Sequence, residues 1–121
     1  MDDERSIADS VAEIIRSAGY EVRTAYTGPE AVMAAGSFGP NLLLTDVLMP
    51  GMNGFELALQ VKQAYPSCRL VLFSGQAATA ELAQRFAREF TSRGYNFTLL
   101  PKPIHPARLL EKLQESLAQA G

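Results

Sequence analysis

Three polar residues stand where apolar runs stop. Asp46 follows Leu42-Leu43-Leu44-Thr45, Ser74 follows Arg69-Leu70-Val71-Leu72-Phe73, and Lys102 comes just after the run Asn96 to Leu100. The same interval separates Asp46 from Ser74 and Ser74 from Lys102, so each belongs to a different strand-helix unit. Two more acids, Asp2 and Asp3, stand before the first helical stretch. Carboxylates, one hydroxyl and one ammonium together suit a divalent cation and a phosphoryl group. Carboxylate oxygens are hard donors of the kind Mg²⁺ accepts. A serine hydroxyl can hydrogen-bond a phosphoryl oxygen, and a lysine can neutralise its charge as a point cation. An ionised carboxylate can itself be the nucleophile and form an acyl phosphate.

The elements that must hold these groups alternate between two periods. Residues 5–18 place Ile7, Val11, Ile14, Ile15 and Ala18 at helical spacing, and Gly19 stops them. Glu21 to Tyr26 alternates as a short, half-exposed strand. Thr27-Gly28-Pro29-Glu30 opens a second helix, with proline in the first turn and an acid favourable to the dipole, and Gly36 to Pro40 closes it. The continuous apolar runs at 42–45 and 69–73 suit strands covered on both faces. Helices are expected over 55–65, 77–93 and 106–119, stopped by Pro66 and Gly94 in the first two cases. His105 is expected at the start of the last helix. Strands alternating with helices imply an α/β domain with a mostly parallel sheet and helices on both faces. Its functional crevice lies beyond the carboxyl ends of the strands, where Asp46, Ser74 and Lys102 fall.

Composition narrows the classes further. The 121 residues make one domain, 1–121, with none left for an output domain. A net charge of −2 gives no electrostatic footprint for nucleic acid. No apolar run reaches the roughly 18 residues of a membrane span, and the acidic start is no signal peptide. The single cysteine, Cys68, cannot form an internal disulfide and fits a reducing cytoplasm. The single histidine excludes zinc sites with paired histidines on one helix.

The stretch Thr45-Asp46-Val47-Leu48-Met49-Pro50-Gly51-Met52-Asn53-Gly54 resembles the phosphoacceptor loop of response-regulator receiver domains of two-component systems. Asp2-Asp3-Glu4 resembles that family's acidic pair, Phe73-Ser74-Gly75 its strand-end hydroxyl, and Pro101-Lys102-Pro103 its Lys-Pro. The resemblance implies a flavodoxin-like fold and Asp46 as acceptor of a phosphoryl group from a sensor histidine kinase or phosphotransfer protein. It implies Mg²⁺ held by Asp2, Asp3, Asp46 and the backbone carbonyl of Leu48, with Ser74 and Lys102 on the phosphoryl oxygens. Such a domain is a switch acting on a downstream protein rather than a turnover enzyme, although it may catalyse its own phosphotransfer and dephosphorylation.

Three features depart from the family. Its acidic pair ends a buried, central first strand, whereas only Met1 precedes Asp2 here. The expectation is a sheet of four strands per chain, rearranged or completed in a homodimer, with metal binding weakened because Asp2 and Asp3 stand on a terminus. Leu99 occupies a position where many receivers carry an aromatic switch residue, and the stretch from Ser74 to Lys102 is about one helical turn longer than usual. The alternative reading is a degenerate receiver, serving as a phosphorylation-independent interaction or dimerisation module.

Overall fold

The structure is a computed structural model that describes residues 5–47, 53–74, 79–101 and 105–118. Its elements run α1 (Arg5–Ser17), α2 (Gly28–Phe38), β1 (Leu42–Asp46), α3 (Gly54–Ala64), β2 (Arg69–Ser74), α4 (Thr79–Ser92), β3 (Thr98–Pro101) and α5 (Pro106–Ala118). The strands form a parallel sheet in the order β1-β2-β3. In register, Asp46 stands beside Phe73 and Ser74 beside Pro101.

The apolar runs at β1 and β2 divide between the two faces with the two-residue period of a strand. Leu42, Leu44, Val71, Phe73 and Leu100 pack with Val11 and Ile15 of α1 and Leu109 and Leu113 of α5. Leu43, Leu70 and Leu72 turn the other way, onto Phe55 and Ala58 of α3 and Phe86 and Phe90 of α4. Ala31 of α2 joins that second face through Leu57, Val61 and Cys68. Burial on both faces is why these strands read as unbroken aliphatic runs.

Local signals set the helix ends. Thr27 caps α2 by accepting from Glu30 N, and Gly39 ends it in the left-handed region at φ 65°. His105 caps α5: its Nδ1 accepts from Ala107 N at 3.1 Å and its carbonyl from Leu109 N at 3.0 Å.

One element differs from expectation. Residues 21–26 form no strand, and three strands are described rather than four. A strand exists only through a ladder partner. Residues 20–25 and β1 line opposite sides of a groove, so among the described residues the alternating sequence finds no backbone to pair with.

Candidate functional site

Asp46 is the last residue of β1 and is half-buried, between the fully buried Thr45 and Val47. The chain on either side is fixed to the sheet. Val47 N donates to Phe73 O at 3.0 Å, continuing the ladder one step past the strand. Gly54 N, at the start of α3, donates back to Val47 O at 2.8 Å, so both ends of the loop leaving Asp46 meet at one peptide.

That closure brings the first turn of α3 against the backbone of Asp46. A Cβ on Gly54 would overlap the Asp46 carbonyl oxygen and stand 3.0 Å from the Asp46 carbonyl carbon and 3.1 Å from Val47 Cα. Only glycine permits the approach. Asn53 caps the helix in a reciprocal box: Glu56 N donates to Asn53 Oδ1 at 2.9 Å, and Asn53 Nδ2 donates to Glu56 Oε1 at 3.0 Å. Phe55 then anchors the turn. It stacks on Phe86 with ring centroids 5.1 Å apart and meets Phe90 and Phe97 edge-on at 5.9 and 5.3 Å.

Across the sheet, β2 brings the backbone of Ser74 to the same carboxyl edge as Asp46, and β3 brings Pro101 beside it. Lys102 is the next residue in the chain. Asp2, Asp3, Leu48 and Lys102 lie outside the described residues, as does the Ser74 side chain. Asp46 offers the hard oxygen donors that Mg²⁺ takes. Among the described residues no group of three or more His, Cys, Asp and Glu side chains forms a metal cluster.

Sequence reasoning picked out Asp46 and placed Asn53 and Gly54 at the end of its loop, but gave neither these two nor Glu56 a part in closing it. Asn53 and Glu56 carried a readable signal, the spacing of a capping box. Gly54 belongs to the resembling stretch, but the contact its missing Cβ avoids is set by the fold. Leu99 is 39% exposed on β3, whereas Phe97 belongs to the core packed against α4.

These features, an acid at the carboxyl end of a parallel strand and a glycine-closed loop leading into a helix, accompany a family match over residues 1–114 to the Response regulator receiver domain. The chain belongs to the response regulator receiver domain family. A response regulator receiver protein of Anaeromyxobacter sp. (strain Fw109-5) is 34% identical over 92% of this chain and 44% of its own length. The uncharacterized transcriptional regulatory protein YesN of Bacillus subtilis (strain 168) is 34% identical over 98% of this chain and 31% of its own. The chain thus spans less than half of these relatives. Among solved structures, the receiver domain of NtrX from Brucella abortus superposes with a TM-score of 0.83 at 30% identity, covering 98% of this chain and 96% of that one. A CheY-like receiver from Methanospirillum hungatei JF-1 gives 0.81 at 30% identity, covering 96% and 88%.

A receiver is a phosphoacceptor signalling module rather than a conventional enzyme. Receivers generally bind Mg²⁺ and work with a histidine kinase. No described helix of this receiver is long and apolar enough to cross a membrane.

Proposed function

We propose that residues 1–121 act as one receiver domain in a cytoplasmic phosphorelay and that Asp46 is the residue phosphorylated. The observation that supports the reading most is the place of Asp46: half-buried at the carboxyl end of β1, with its backbone held by the Val47–Phe73 and Gly54–Val47 hydrogen bonds. A backbone held so gives the Asp46 side chain a fixed point from which to reach an in-line geometry.

In the reaction, an Asp46 carboxylate oxygen attacks the phosphorus of a phosphohistidine on the partner kinase or phosphotransfer protein. The phosphorus–nitrogen bond breaks, its electron pair stays on the imidazole nitrogen, and a proton from solvent completes the neutral ring. The product is an acyl phosphate on Asp46. Ser74 donates its hydroxyl to one phosphoryl oxygen and Lys102 neutralises another. Asp2, Asp3, Asp46 and the Leu48 carbonyl are the groups to hold Mg²⁺, which when bound adds further neutralisation of phosphoryl charge.

The second reading, a phosphorylation-independent interaction or dimerisation module, is favoured by the groove beside β1. Acetyl phosphate with Mg²⁺, followed by intact-mass detection and light scattering, separates the two. Addition of one phosphoryl group that is lost in Asp46→Asn supports the phosphoacceptor. A constant dimer that never gains mass supports the module.

A further inference from the structure

The most completely buried polar side chain among the described residues is that of Thr45, which has no exposed surface. It follows Leu42-Leu43-Leu44 in β1 and directly precedes Asp46. A hydroxyl taken out of water costs free energy unless it finds a hydrogen-bond partner. Valine has the same branched shape without that cost, so burial alone favours valine here.

The contact shows what the hydroxyl does. Thr45 Oγ1 donates to the carbonyl oxygen of Asp46 at 3.1 Å. The same oxygen lies against the first turn of α3, where a Cβ on Gly54 would overlap it. At the other end of that peptide group, Val47 N donates to Phe73 O at 3.0 Å. The plane joining Asp46 to Val47 is therefore held by β2 through its N–H and by Thr45 through its C=O. Because a peptide unit is planar, holding both ends fixes the rotation about the Asp46 Cα–C bond, and with it the direction of Cα–Cβ.

Successive side chains of a strand point to opposite faces. Thr45 shares the face of Leu43 and Val47, which pack in the cluster of Phe55 and Ala58 of α3. Asp46 shares the face of Leu42 and Leu44, which pack in the cluster of α5. The hydroxyl thus acts on Asp46 through the backbone rather than through the carboxylate.

We propose that Thr45 is a positioning residue for phosphoryl transfer, its hydroxyl setting the peptide plane from which the Asp46 carboxylate is aimed. The inference rests on the reading of Asp46 as the phosphorylated residue. Without the hydroxyl the carboxylate starts from a wider spread of directions, of which fewer are in line with the bond to be broken.

The test compares Thr45→Val and Thr45→Ser with the wild-type full chain, by intact-mass time courses over a range of acetyl phosphate at fixed Mg²⁺. In that reaction an Asp46 carboxylate oxygen attacks phosphorus, and the phosphorus–oxygen bond breaks with its electron pair leaving on acetate. Thr45→Val keeps the shape and loses the hydroxyl, whereas Thr45→Ser keeps the hydroxyl. The maximal rate should fall about fivefold or more in Thr45→Val and stay within about twofold in Thr45→Ser, as expected for one hydrogen bond. The half-saturating concentration should hold in both, because Thr45 does not touch the donor. Amides of β2 should keep their protection, showing that the variants are folded. The carbonyl carbon resonance of Asp46 should move upfield in Thr45→Val and hold in Thr45→Ser. Equal maximal rates in wild type and Thr45→Val, a loss that Thr45→Ser shares, a change confined to half-saturation, or an Asp46 carbonyl resonance unmoved in Thr45→Val would each overturn the inference while leaving Asp46 its role. A wild-type chain that gains no mass would remove that role and the inference together.

Discussion

Replacing Gly54 by alanine tests whether the loop after Asp46 is closed as described. The new Cβ falls inside the van der Waals envelope of the Asp46 carbonyl oxygen, with two more backbone atoms at 3.0 and 3.1 Å. None of these atoms is the flexible end of a side chain, so α3 or β1 must move, and the 2.8 Å bond from Gly54 N to Val47 O must stretch with it. Overpacking of this kind costs about 1–3 kcal/mol, and a weakened backbone hydrogen bond adds about 1 kcal/mol. Alanine's better helix propensity returns at most about 1 kcal/mol at the first residue of a helix. The net expectation is a loss of about 1–4 kcal/mol. Gly36→Ala is the matched control: it lies inside α2 with nothing within 4 Å of its Cβ position, and should gain up to about 1 kcal/mol. Urea unfolding followed by circular dichroism resolves both. With a slope of about 1–3 kcal/mol per molar, Gly54→Ala should lower the midpoint by about 1–2 M while Gly36→Ala holds or raises it. A Gly54→Ala midpoint equal to or above wild type would refute the close approach.

Other expectations follow from the same contacts. Burial raises the Cys68 thiol to about 11, with the nearby Lys62 charge acting the other way. Folding therefore favours the protonated thiol; the stability this contributes is intact below the unfolded thiol's range and is lost as pH climbs through about 11. Melting temperatures measured from pH 8 to 11 should fall over that upper interval, and a disulfide reagent at pH 8 should label Cys68 slowly until denaturant opens the fold. Lys62 is buried, donates to Cys68 O at 2.9 Å and has its own pKa lowered by desolvation. Lys62→Ala should cost about 1–3 kcal/mol in urea unfolding, because Cys68 O loses its lysine donor, and Lys62→Met should recover part of the loss through packing. Asn53→Ala removes the cap of α3 and should cost about 1 kcal/mol in the same assay.

Much of this molecule is legible in its chain because burial and helix ends leave local marks. The aliphatic runs at 42–45 and 69–73 announced strands covered on both faces, and Gly39, Thr27 and Pro106 marked helix ends where they occur. Residues 21–26 misled for a physical reason. Alternation reports a pattern of burial, but a strand also needs a neighbouring backbone, and that requirement lies far along the chain or outside it. At the site, Asp46 was readable from its position after an apolar run, whereas the need for glycine at 54 depends on the Asp46 carbonyl being brought underneath it. Helix boundaries moved by a residue, as at α3, where expectation ran over 55–65 and the helix runs Gly54–Ala64.

The central claim is that Asp46 takes the phosphoryl group. Incubation of the full chain with acetyl phosphate and Mg²⁺, followed by intact-mass analysis at neutral pH, addresses it directly. The account predicts the mass of one HPO₃ unit added to wild type, removed by hydroxylamine as an acyl phosphate should be, and absent from Asp46→Asn. No added mass on a chain whose β2 amides are protected, or equal addition to Asp46→Asn, would contradict it.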